Sequence, residues 1–331
     1  MAIPFIIGAA AVVYGGKKTK DGLDKMEQAK KINEEAQEIA DNATNSQEDT
    51  RVATNESLEN LGKTKISIMS YNMRTFVDNF SQLQNVDFSN AVIVDELRDF
   101  DPQSYDFLEM KEASFNASEL AEGGLGSIAA GTLTAAGAYG AVGAFATAST
   151  GAAISGLTGA AATNATLAWL GGGAIASGGG GIAAGTMVLG GLVAIPAIIV
   201  GGWFLSAKAD KALSEAKTNY DKAQKYEQEV RNLCTAMEAL KDKAEQIDYL
   251  LYELDNRFSD AISDMINTID DAGIDFSTFS SDEEDDIIRA AQLAQTIKVV
   301  IDTPLINQQG GVTAEAERLI ESRQVLLDKL Y

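Results

Sequence analysis

Two long stretches of the chain place apolar residues at helical spacing, and they enclose a third stretch that carries no charge. In the first, from about residue 19 to 83, Met26, Ala29, Ile32, Ala36, Ile39 and Ala43 follow in steps of three and four. Leu58, Leu61, Ile68, Phe76, Phe80 and Leu83 then resume the pattern. This is the signature of an amphipathic helix. Residues 42–55 are rich in Asn, Thr and Ser, so the spacing allows a break there. Residues 85–112 are less periodic, and Asp101-Pro102 predicts a turn between two short helices.

The second amphipathic stretch, about 208–270, is the most regular. Val230, Leu233, Met237, Leu240, Ala244, Ile247, Leu251, Leu254, Phe258, Ala261 and Met265 form an unbroken seam of three- and four-residue steps, the pattern of a coiled coil. At 1.5 Å per residue this arm would be roughly 90 Å long, too long for an isolated globular helix. The simplest partner for its seam is the N-terminal arm folded antiparallel beside it, with self-association as the competing explanation. Cys234 falls in the seam and reads as a small buried apolar residue. Gly273 is placed to end the arm. Ser281 followed by Asp282, Glu283 and Glu284 reads as a capped helix start, with a helix continuing through Ile287, Ala291, Ala294, Ile297 and Val300 to about Asp302. Thr303-Pro304 and Gly310-Gly311 mark a loop, and Thr313 can cap a last helix ending near Leu330.

Between Glu122 and Lys208 there is no Asp, Glu, Lys or Arg, and this stretch holds 22 of the 30 glycines. Small residues recur every four positions along two lanes: Gly173, Ser177, Gly181 and Gly185, beside Gly172, Ala176, Gly180 and Ala184. In water each glycine costs a helix about 1 kcal/mol relative to alanine. In lipid an unpaired backbone costs more, so the helix persists and small residues let helices approach closely. Residues 187–207 have the length of a membrane span. Met187, Leu189, Leu192, Ile195, Ile198, Ile199 and Phe204 would face lipid, Pro196 would kink the centre, and Trp203 would sit near the interface. Lys208 and Lys211 follow, which the positive-inside rule assigns to the cytoplasmic side. A partner span is expected within residues 125–147, and the intervening residues form a long bend or two further weak spans. Either arrangement puts both charged arms on one side. The bland alternative is a glycine-rich hairpin buried inside a soluble bundle.

An apolar run at residues 3–16 precedes Lys17, Lys18 and Lys20, the reverse of the order in a secretion signal, so it reads as an anchor, a half-span or a buried helix. Five segments result: an N-terminal anchor (1–16), an N-terminal arm (17–122), a glycine-rich inserting region (123–207), a second arm (208–272) and a helical tail (273–331). The fold class is all-α, with coiled-coil-like antiparallel arms flanking a glycine-zipper hairpin and a small C-terminal bundle.

Composition narrows the chemistry. There is no histidine, one cysteine and a net charge of -22, from 26 basic and 48 acidic residues. The charge argues against sequence-independent nucleic-acid binding, and any membrane affinity must come from apolar burial rather than attraction to anionic lipid. Gly62-Lys63-Thr64 ends like a phosphate loop, but Ser57 stands where its first glycine belongs. The glycine runs lack the strand and acid of a dinucleotide fingerprint. The acidic run 282–286 lacks calcium-loop spacing. No catalytic, metal-binding or cofactor-binding residue can be nominated, so an enzyme is not expected.

The order of long helix, apolar region and long helix resembles that of α-helical pore-forming toxins of the cytolysin A and haemolysin BL type, and also that of apolipoprotein L-like proteins. The first resemblance implies a soluble form that hides its apolar region and releases it during assembly on a membrane. Two functions follow as expectations. One is a membrane-inserting, oligomeric pore former or permeabiliser. The other is a membrane-anchored coiled-coil scaffold or sensor that binds a protein partner through its arms and conducts nothing. A wholly soluble assembly is the third possibility.

Overall fold

A computed structural model of the chain describes residues 20–88, 97, 100–125, 133, 137, 209–306 and 311–329. Of the interpretable part 86% is helical and none is strand, which makes the protein all-α. The helices are α1 (Lys20–Ser70), α2 (Asn72–Phe80), α3 (Tyr105–Ala121), α4 (Ala209–Ala272), α5 (Ser281–Asp302) and α6 (Ala314–Lys329). The chain divides into two compact units, Met1–Thr50 with Ala194–Thr235 and Arg51–Val193 with Ala236–Tyr331.

α1 runs unbroken through residues 42–55, against the break allowed by their composition. The side chains that usually compete with a helix are occupied within it. Thr44 and Thr50 donate back to the carbonyls of Ala40 and Ser46, while Gln47 and Thr54 are buried. Tertiary packing outweighs the weak local propensity.

In the first unit α1 and α4 meet through small residues. Ala29, Ala36 and Ala43, seven residues apart, are buried on α1, and Ala212, Ala216 and Ala223 are buried on α4. Ile32 and Leu213 pack beside the cluster of Ala29, Ala212 and Ala216. Polar pairs complete the seam. Asn219 Nδ2 donates to Asn33 Oδ1 at 2.9 Å, and the hydroxyls of Thr44 and Tyr226 lie 3.1 Å apart. Lys25 bonds Asp210 at 2.8 Å, which holds that carboxyl below its ordinary range.

In the second unit α1 and α4 continue to pair, through Thr54 to the Met237 carbonyl, Ser57 to Glu245 and Asn72 of α2 to Asp255. Residue numbers rise together along both helices, in this unit and separately in the first. The arms are therefore parallel, and the antiparallel expectation is corrected. The period of an apolar seam is the same in either direction, so it does not encode orientation. Antiparallel pairing is enforced by a short connection, and here about 140 residues separate Ser70 from Ala209. One consequence is that the chain leaves α3 in the second unit and re-enters at α4 in the first.

The second unit has a large apolar core. Phe76 stacks on Phe80 and meets Phe107 and Phe258. Phe80 reaches Phe88 and Phe100, and Phe88 touches Phe276. α3 crosses back along α1 and α2, with Ser118 donating to the Ser70 carbonyl. α5 returns along α4, where Thr268 bonds Asp286 and Arg289 pairs with Asp264. Two loops are tied by backbone bonds, Gln84 to the Ile274 carbonyl and Phe276 to the Gln84 carbonyl.

The turn chemistry follows the sequence closely. Gly273 ends α4 with φ +93°, a conformation that favours glycine. The Asp101-Pro102 turn leads to Ser104, whose hydroxyl caps α3. Thr313 caps α6 through the Ala316 amide. The α5 cap is displaced by one residue from expectation. Ser280, not Ser281, bonds Glu283 through both its amide and its hydroxyl, forming a capping box.

Candidate functional site

The residues of the expected arm seam fall on α4. Val230, Met237, Leu240, Ile247, Leu251, Leu254 and Phe258 are all buried. Leu233 is half-exposed, and the neighbouring Cys234 takes the buried position instead. The expected lipid-facing residues, Met187 to Phe204, lie outside the described residues. So do both glycine lanes, from Gly172 to Gly185, and the apolar N-terminal run. Among the described residues no helix is long and apolar enough to cross a membrane.

What the structure adds is a contact from within the charge-free stretch itself. Leu133 and Gly137, both helical and buried, lie against Leu58 and Gly62 of α1. Two glycines make this approach possible. A Cβ on Gly62 would overlap the Leu133 carbonyl oxygen and lie 3.0 Å from the Leu133 Cα. A Cβ on Gly137 would overlap the Leu58 carbonyl oxygen and lie 3.2 Å from the Gly62 nitrogen. Backbone meets backbone, the closest packing open to helices.

Lys65 lies one turn further along α1 and is only 2% exposed. Its Nζ donates to the Gly137 carbonyl at 3.4 Å, a long bond that does little to hold a proton. Burial pushes the ammonium down from its ordinary 10.5 to about 7, and the Asp302 carboxylate pulls it partly back. Asp302 is already engaged by Lys298 at 2.7 Å, and Lys298 also pairs with Glu109 of α3 at 3.1 Å. Burial alone would depress Lys298, but those two carboxylates keep its ammonium above its ordinary value. Lys65 is thus the poorly compensated member of the group, a buried amine whose countercharge, Asp302, is already paired with Lys298.

Sequence reasoning overlooked Lys65, Gly62 and the pair Leu133 and Gly137. A signal was present: residues 58, 61, 65 and 68 keep the three-four spacing of the apolar face, so Lys65 occupies a core position. Gly62, which the sequence offered only as the tail of a false phosphate loop, is explained by close helix approach.

Arranged this way, the described residues offer close helix packing around a buried amine. No protein-family model matches the chain, and neither does any curated protein or solved structure.

Proposed function

We propose that the chain is a membrane-inserting helical protein that oligomerises and permeabilises a bilayer, with residues 123–207 as the part that enters. The observation that carries this reading is the run of 85 positions without Asp, Glu, Lys or Arg, ending in the span-length segment 187–207 and followed by Lys208 and Lys211. A stretch of that length has too few polar side chains to cover a soluble surface, whereas lipid favours its helices and its small residues favour contact between them. In sequence the charge-free stretch follows α3, which buries Phe107, and precedes α4, which buries Ala212 and Ala216. The lipid bilayer and further copies of the chain are the partners this reading requires.

Encapsulated-dye release from liposomes tests the reading. A permeabilising protein floats with the liposomes and empties them. A membrane-anchored scaffold floats without release, and a soluble assembly does neither.

A further inference from the structure

We infer that the crossing of Leu133 and Gly137 over Leu58, Gly62 and Lys65 is an autoinhibitory clasp, which holds the charge-free stretch on α1 and must open before that stretch enters a bilayer. The inference rests on the membrane-inserting reading and adds to it the contact that restrains insertion.

Three features of the crossing fit a contact built to close tightly and still release. First, both helices carry a glycine where they touch, so the fit is specific to a single backbone register. A methyl group on either side prevents it. Second, the contact joins a residue of the charge-free stretch directly to the all-α core, since Leu58 and Gly62 belong to the buried face of α1. Third, closing the crossing buries the Lys65 amine against a carbonyl at 3.4 Å, with its nearest countercharge, Asp302, shared with Lys298. Opening returns that amine to water, so the closed form carries a built-in penalty. Close backbone packing favours closure and the buried amine opposes it. Such opposition leaves the equilibrium poised rather than locked.

The test uses the full chain and three variants. Gly62→Ala and Gly137→Ala each force the crossing apart from opposite sides. Lys65→Met keeps an unbranched side chain as long as the lysine's carbon stem and removes the amine. Hydrogen exchange at residues 133–137, measured without lipid, reports the clasp itself, and dye release from liposomes reports insertion. Both glycine variants are expected to speed exchange and the onset of release on the order of tenfold, as overpacking by a methyl group does. Lys65→Met is expected to slow both. Should either glycine variant lose its helical circular dichroism, the opposite shift expected of Lys65→Met carries the test alone. Unchanged exchange at residues 133–137 overturns the clasp. Faster exchange with an unchanged rate of release overturns its role as a restraint. If no protein, wild type included, floats with or empties liposomes, the membrane reading itself fails and the clasp fails with it, whatever the exchange data show.

Discussion

The seam between α1 and α4 is made of alanine and paired polar side chains in the first unit, while the second unit gathers phenylalanine, leucine, isoleucine and methionine around the same two helices. Ala29, Ala36, Ala43, Ala212, Ala216 and Ala223 let the helices come close but remove little apolar surface from water. Phe76, Phe80, Phe107 and Phe258 bury a great deal. Polar contacts such as Asn33 to Asn219 fix register at a cost in stability, the role a single buried asparagine plays in a coiled coil. The two units therefore differ in kind. The first is rich in direction-specific polar pairs, and the second buries the large phenylalanine side chains. Local opening is expected to begin where buried apolar surface is least.

The largest effect that would sharpen this contrast is in the phenylalanine cluster. Phe76→Ala should destabilise the second unit by about 3–5 kcal/mol, whereas Ala36→Gly in the first should cost only about 1 kcal/mol. Hydrogen exchange followed separately in residues 29–43 and 70–80 reads both. Comparable losses in the two units would break the comparison.

Next comes Lys65, an ionisable side chain only 2% exposed in the second unit. Its folded value of about 7 lies below its ordinary 10.5, so the unfolded chain binds more protons throughout that window. Stability should therefore rise with pH from about 7 to 10.5 and stay level, as far as this group is concerned, below about 7. The full gain is on the order of 5 kcal/mol, about 1.4 kcal/mol for each step of one in pH between about 7 and 10.5. Denaturation of wild type beside Lys65→Met isolates the effect. The variant should be more stable near neutrality, and the gap should close as alkali deprotonates the lysine in both states. A gap independent of pH would show that the amine is not what strains this site.

The smallest effect belongs to the first unit. Gln47 is 2% exposed and its Oε1 has no hydrogen-bond partner. Gln47→Leu should stabilise the α1–α4 seam by about 1–2 kcal/mol, because an apolar side chain of similar size leaves no polar atom unpaired. Slower exchange across residues 40–50 would register it. A loss of stability would mean that the glutamine serves alignment, as the asparagine pair does.

How far the sequence reveals these regions depends on which kind of contact built them. Helix ends were legible because their chemistry is local: Gly273 with its positive φ, the turn at Asp101-Pro102 before α3, and Thr313 before α6. The seam was legible because three-four spacing is itself the physical cause of helix pairing. Its direction was not, since parallel and antiparallel seams share a period and only a distant connection separates them. The continuity of α1 through residues 42–55 was hidden by side chains whose partners lie within the helix or on α4. The clasp was hardest to see. Gly62 and Gly137 are far apart in sequence, and a glycine chosen for close approach looks like any other until its neighbour is known.

Dye release from liposomes, comparing wild type with Ile195→Asp, addresses the central claim most directly. A charge at the centre of 187–207 costs insertion on the order of 3 kcal/mol. The account predicts that wild type empties the liposomes and that the variant, with its circular dichroism intact, does so far more slowly. Equal release by both proteins, or no binding and no release by wild type, would contradict it.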